Sequence, residues 1–210
     1  MVERSDDQTA EPPGLLDALG GPLGMVETSV PPVGFVAVYG FAGTKPAAIV
    51  AVALVAVLTA IRLGRRQSPA QALFGLVGVG FAAFIAARSG KAENFFLPGL
   101  LANAAYAAAF LISIAARRPL VGVIVGHLDG EGSRWREDPR RVKAFTRASW
   151  LWVGVFLARL LAQLPLYLAG AVVALGVART AMGLPLFALG LWLTYRLVRR
   201  SRTTPRHAEA

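Results

Sequence analysis

The sequence predicts an all-α integral membrane protein built as a bundle of about six transmembrane helices. Three observations predict it. Hydrophobic residues make up 55% of the 210-residue chain and charged residues 16%, against roughly 25% charged in an ordinary soluble domain. The charges are clustered, which leaves several stretches of the roughly 20 mostly apolar residues needed to cross about 30 Å of hydrocarbon. The basic residues fall mainly in alternate loops between those stretches, as a fixed orientation in a membrane requires.

The elements follow in order. Residues 1–14 read as a disordered, acidic, proline-containing tail. That start has no basic segment followed by an apolar one, so insertion is expected to rely on the internal helices. The first span, 15–42, is apolar but interrupted by Asp17, Glu27 and Pro31-Pro32. Paired prolines remove two backbone donors and disfavour helix just before them. The span is therefore expected to be broken at Pro31-Pro32, with an amphipathic first half and a shorter apolar second half. Cleaner spans are expected over 46–63, 70–87 and 95–116. A loop over 117–147 precedes the fifth span, 150–169, and the sixth, 176–197; a tight turn near Gly170 separates these two. Within the loop, 120–125 is expected along the membrane surface and 126–137 as polar turns. Asp138-Pro139 has the form of a helix start, with a capping acid before a first-turn proline. The six spans make one transmembrane domain over 15–198, and 199–210 form a polar, disordered C-terminal tail.

Charge sets the orientation. With the N-terminus inside, seventeen Lys and Arg fall in cytoplasmic loops and tails, and four (Lys45, Arg88, Lys91 and Arg179) fall outside. Both termini are therefore expected in the cytoplasm, across a plasma (inner) membrane. The net charge of +10 is explained by this bias, so nucleic acid is not expected as a partner. The bilayer is the expected partner. The chain has no cysteine and two histidines, His127 and His207, both outside the apolar spans, so no metal site and no thiol chemistry are expected. Trp135, Trp150, Trp152 and Trp192 fall near span ends, where aromatic belts form.

Ionisable groups inside a span are costly and mark candidate sites. Glu27 in the first span and Arg159 in the fifth qualify. Gln163 and Tyr167 follow Arg159 at four-residue steps and share its helix face; Asn103 and Tyr106 form a second polar face in the fourth span. A candidate intramembrane polar site therefore comprises Glu27, Asn103, Arg159, Gln163 and Tyr167. It has two readings. One is a Glu27–Arg159 pair that fixes helix register, since polar groups fasten membrane helices together. The other is a transport site at a broken helix. Small residues at four-residue spacing (Gly78, Ala82, Ala86; Ala104, Ala108; Gly154, Ala158, Ala162) are expected to allow close helix packing. In the cytoplasmic loop Arg134, Arg136, Arg140, Arg141, Lys143 and Arg147 could contact anionic lipid, or serve only to hold the loop inside. No GxSxG, HExxH, phosphate-loop or dinucleotide-binding pattern occurs, so neither catalysis nor a cofactor is expected. Six helices are few for a transport pathway, and a homo-oligomer would then be needed.

Four stretches carry a family resemblance: Leu19-Gly-Gly-Pro22 with Glu27 and Pro31-Pro32; the run from Arg66 to Gly75; Phe95-Phe-Leu-Pro98-Gly with Asn103-Ala-Ala-Tyr106; and Ser113 through Arg117-Arg-Pro119 to Gly122. Over about 14–200 the chain resembles the domain-of-unknown-function 3159 family of bacterial, mainly actinobacterial, membrane proteins. In layout it is also distantly similar to the intracellular septation protein A family. The first resemblance implies a bacterial plasma membrane protein and supplies no site residues. The second implies a role with cell-envelope machinery. Together with the residues, they lead to the expectation of a structural or accessory envelope component, with a small-molecule or ion transporter or channel as the alternative.

Overall fold

The computed structural model describes residues 29–65 and 69–202. Among these residues every regular element is helical. Helix α1 spans Val30–Ala42, α2 Thr44–Gly64, α3 Pro69–Ser89 and α4 Leu97–Ala115, the last preceded by a 3₁₀ turn, Ala92–Phe96. Helix α5 spans Leu120–Leu128, and a second 3₁₀ turn covers Arg134–Glu137. Helices α6 Pro139–Leu168, α7 Val172–Ala181 and α8 Leu184–Arg202 complete the chain.

Four segments are long and apolar enough to cross a membrane: Thr44–Gly64, Ala92–Ala115, Pro139–Leu168 and Val172–Arg199. Val30–Ala42 and Leu73–Ser89 are shorter apolar helices. The exterior suits hydrocarbon. Phe41, Phe74, Leu161 and Leu168 are each more than three-quarters exposed, on a scale that soluble monomers avoid. Pro31 and Pro32 occupy the first turn of α1 and are buried. There they cost nothing, because first-turn N–H groups lack helical partners anyway. The expected first half of that span, and Glu27 with it, lie outside the described residues.

The helices pack as two cores. The first joins α1, α2, α3, the Ala92–Phe96 turn and α7. Phe35 stacks on Phe95 at 4.1 Å and meets the edge of Phe96 at 6.1 Å. Ala47, Ala48 and Ala51 of α2 face Ala82, Ala83 and Ala86 of α3, so two backbones approach closely where side chains are smallest. The second core joins α4, α5, the Arg134–Glu137 turn, α6 and α8. Its spine is aromatic: Phe110 stacks against Trp152 at 6.3 Å, and Trp152 meets Phe187 at 5.1 Å. The Trp152 indole N–H donates to Thr194 Oγ1 at 3.1 Å.

The other small-residue stripes behave differently from the expectation. Ala82 and Ala86 are buried, but Gly78, Ala104, Ala108, Gly154 and Ala158 are exposed. Close packing needs a facing helix, and none of the described helices covers these positions. Two of the tryptophans also depart from the belt pattern: Trp152 and Trp135 are core residues, while Trp150 and Trp192 are half-exposed. Arg196 lies over the Trp192 ring at 4.8 Å.

Helix α6 starts where its sequence says it should. Asp138 accepts a hydrogen bond from the Arg140 N–H at 2.8 Å, with Pro139 in the first turn. Asp138→Ala is expected to cost about 1 kcal/mol and to speed amide exchange at Arg140; unchanged exchange there would remove the cap from the account. At its other end α6 closes with a Schellman arrangement. Gly170 has φ of +65°, its N–H reaches Tyr167 O at 3.0 Å, and the Ala171 N–H reaches Leu166 O at 2.9 Å. This is the left-handed position that glycine fills without a Cβ penalty, and it turns the chain straight back into α7.

The last span differs from expectation at both ends and in the middle. It begins at Val172 rather than 176, and it is broken at Met182-Gly183 between α7 and α8. The cause is local. Pro185 lies in the first turn of α8 and has no N–H for the Ala181 carbonyl, and Gly183 adds backbone freedom. The two halves then go to different cores: Val172 and Leu175 of α7 to the first, Leu186, Phe187, Leu191 and Val198 of α8 to the second.

Candidate functional site

The broken span decides where Arg159 goes. Its Nε donates to Met182 O at 3.0 Å, and its Nη2 donates to Met182 O and Gly183 O, both at 2.6 Å. Met182 O lies at the C-terminal end of α7, and Gly183 O lies in the break, where it also accepts from the Phe187 N–H at 3.3 Å. A helix end leaves its last carbonyls without helical donors, and inside a bilayer no bulk water replaces them. The guanidinium supplies a rigid fork of donors, and its positive charge stands at the negative end of the α7 dipole. Arg159 thus fastens α6 to the break.

Two sets of contacts fix the levels of the neighbouring helices. Helices α4 and α6 run antiparallel, with Phe110 on Trp152 and Tyr106 on Phe156 at 5.3 Å. One turn further along each helix brings Asn103 level with Arg159, and another brings Gly99 level with Gln163. Helices α6 and α7 also run antiparallel. One turn back from the Arg159–Gly183 contact brings Gln163 level with Arg179.

Arg179 was expected in an outside loop. It lies instead within α7, inside the apolar segment Val172–Arg199. A helical segment starting at Val172 carries it in, because the apolar run is long enough to hold one charge. The Arg179 guanidinium sits 5.9 Å over the Phe96 ring. It also packs directly on Gly99, where any Cβ would collide with its Nη1. Its charge acts on that of Arg159. No acid pairs with either arginine among the described residues.

The remaining candidates separate. Gln163 is 2% exposed, and its Oε1 has no hydrogen-bond partner. Tyr167 is tied elsewhere: its hydroxyl donates to Asn94 Oδ1 at 2.6 Å, and Asn94 Nδ2 donates to Ser89 Oγ at 2.9 Å. That link joins the end of α6 to the turn between α3 and α4. Asn94 is a contributor that sequence spacing gave no reason to choose, since it lies in a turn outside the helical periodicity. Tyr106 is half-exposed against Phe156 and is not part of the cluster. An open groove of about 470 Å³ between α2 and α3, lined by Lys45, Ala48, Ile49, Val52, Ala83 and Phe84 among others, contains none of the candidates.

The loop between α4 and α6 is a folded cap. The first N–H groups of α5 are taken up by buried serines: Leu120 N–H by Ser113 Oγ at 3.1 Å, and Val121 N–H by Ser149 Oγ at 3.3 Å. Trp135 is 2% exposed and meets the Phe145 ring edge-on at 5.2 Å. Arg141 pairs with Glu131 at 2.6 Å and lies over the Phe145 ring. Arg134, Arg136, Arg140, Lys143 and Arg147 are exposed. Five of the six basic residues singled out for lipid contact are therefore exposed, Arg136 among them lying over the Trp135 ring at 5.8 Å, and Arg141 serves the fold. Among the described residues no group of three or more His, Cys, Asp or Glu is placed to hold a metal.

The comparisons with known proteins bear on this architecture. The family model described as "Protein of unknown function (DUF3159)" matches residues 19–205. The chain belongs to the DUF3159 family. Comparison with curated proteins and with solved structures returned no match, and the layout likeness to intracellular septation protein A is not supported. The DUF3159 match covers both cores, the broken last span and the cap between α4 and α6, so the arrangement described here falls within the family's own region.

Proposed function

We propose that this DUF3159 protein crosses the bacterial plasma membrane six times, with both ends in the cytoplasm, and acts as a structural or accessory component of the cell envelope without catalysing a reaction. The basic cap over 117–147 is its working surface toward anionic lipid or envelope partners. The observation that carries the reading is the Arg159 contact with Met182 O and Gly183 O. The most deeply placed charge of α6 is used to hold one helix to another. Its neighbours in the second core do similar work, as the Trp152–Thr194 contact illustrates.

One observation favours the alternative, a small-molecule or ion transporter with a polar site at Glu27 and Arg159. Transporters build their sites at helix breaks near mid-membrane, and Met182-Gly183 is such a break. Labelling separates the two. The natural chain has no cysteine, so Asn103→Cys, level with Arg159, can be probed alone. The structural reading expects no reaction with a small water-soluble thiol reagent applied to either side of sealed vesicles. Reaction from both sides would replace that reading with the transporter.

A further inference from the structure

We propose that Arg179, together with Gln163, forms a binding site for a phosphate-type oxyanion at the junction of α4, α6 and α7, supplied either by the head group of an anionic phospholipid or by free phosphate. This goes beyond the accessory role and does not depend on it.

Three observations converge. The first is a charge without a counter-charge. Arg179 lies in an apolar segment, makes no hydrogen bond and faces no acid among the described residues, while a second cation, Arg159, is near enough to repel it. Ionised groups in membrane spans are normally paired with one another or with backbone carbonyls. Arg159 has its carbonyls; Arg179 has none.

The second is a dissatisfied neighbour. The Gln163 side chain is 2% exposed, and its Oε1 is enclosed without a partner. A buried amide costs free energy until its groups are bonded, and it is level with Arg179. A primary amide can turn to present either its carbonyl or its NH₂ group. It can therefore present its NH₂ group to an oxyanion bound beside Arg179.

The third is the shape around the guanidinium. One face rests toward the Phe96 ring, and one flank lies on the bare backbone of Gly99. Those contacts are apolar or steric and use none of its N–H donors. Guanidinium donors match phosphate oxygens in a two-pronged geometry that a lysine cannot reproduce. Arg179 is seven residues into the segment that begins at Val172, or about 10 Å at the helical rise. Its guanidinium reaches Gly99 in the first turn of α4, the end of that helix nearer the start of its apolar segment.

The test uses the full chain in nanodiscs. Discs of phosphatidylcholine with about one-fifth phosphatidylglycerol are compared with pure phosphatidylcholine discs given inorganic phosphate. Retained lipid is read by native mass spectrometry and bound phosphate by equilibrium dialysis. Wild type is expected to retain phosphatidylglycerol or to bind phosphate; the first names the lipid as source, the second the free anion. Arg179→Gln should weaken that binding by about 10–100-fold, as loss of charge-assisted hydrogen bonds implies. Gln163→Leu should weaken it severalfold. Gly99→Ala keeps every charge and displaces only the end of a flexible side chain, so it too should weaken binding while thermal unfolding stays near wild type. Arg179→Lys should restore less than half of the lost affinity on a logarithmic scale. Failure of wild type to bind either probe overturns the proposal, as does wild-type affinity in both Arg179→Gln and Gly99→Ala.

Discussion

Arg159→Met is expected to destabilise the protein by about 2–4 kcal/mol, the most damaging single change among the polar residues of the bundle. Methionine keeps the length and apolar stem of the side chain, so packing is little disturbed. What it removes are three hydrogen bonds to Met182 O and Gly183 O. Those carbonyls sit at a helix break in an apolar segment; Gly183 O keeps the Phe187 N–H at 3.3 Å, but Met182 O is left without a donor that hydrocarbon could replace. The α7 dipole also loses its facing cation. Arg159→Lys should recover only part of the loss. An ammonium is a compact charge and cannot span two carbonyls with a planar fork. The measurement is unfolding in detergent micelles, followed by thermal scans or steric trapping. Equal stability of Arg159→Met and wild type would mean the break does not need its clamp. A large loss in Arg159→Met with full recovery in Arg159→Lys would mean that charge, not geometry, matters.

Trp135→Ala is expected to cost about 3–5 kcal/mol within the cap between α4 and α6, as truncation of a buried aromatic does. The ring fills the space between α5 and the start of α6. A Cβ on Gly122 or Gly126 would collide with it, and on Gly126 also with the Gly132 carbonyl. Those glycines have no side chain because the indole lies against their backbone. The Gly132 N–H in turn reaches Gly126 O at 2.9 Å, closing the loop around the ring. Gly126→Ala should therefore reproduce much of the Trp135→Ala phenotype from the opposite side, by overpacking rather than by a cavity. Both variants should raise protease cleavage and amide exchange over 120–137 and leave the membrane helices intact. A cap that exchanges at the wild-type rate in both variants would show that Trp135 is not its core. Loss of the whole bundle would show that cap and membrane domain unfold as one unit.

These expectations trace which parts of the architecture sequence patterning can reach. Long apolar runs bounded by charge revealed α2, α3, α4 and α6, because hydrocarbon imposes a length and polarity that any helix crossing it must meet. Asp138-Pro139 and Gly170 announced themselves because capping and left-handed turns demand particular residues. The break at Met182-Gly183 did not, since its flanks are apolar and Pro185 reads equally well as a tolerated interruption. Arg179 was assigned to a loop on charge alone; only its contacts with Phe96 and Gly99 show why a span accepts it. The Arg159, Gln163 and Tyr167 stripe was visible as one face of α6. The carbonyls that take Arg159 and the Asn94 that takes Tyr167 were not, because partners come from other elements and periodicity contains no information about them. The serines under α5 and Asn94 beside Tyr167 escaped notice for the same reason.

The division of the last span between two cores has a consequence for how the protein is made. The core containing Phe35, Ala47 and Ala86 also contains Val172 and Leu175. A nascent chain that has made only its first three helices still lacks part of their common interior. That gap persists while the next two long segments are synthesised and inserted. The earliest part of the protein is thus completed by nearly the last, and a ribosome-bound fragment ending before Val172 holds its first helices in an unfinished assembly.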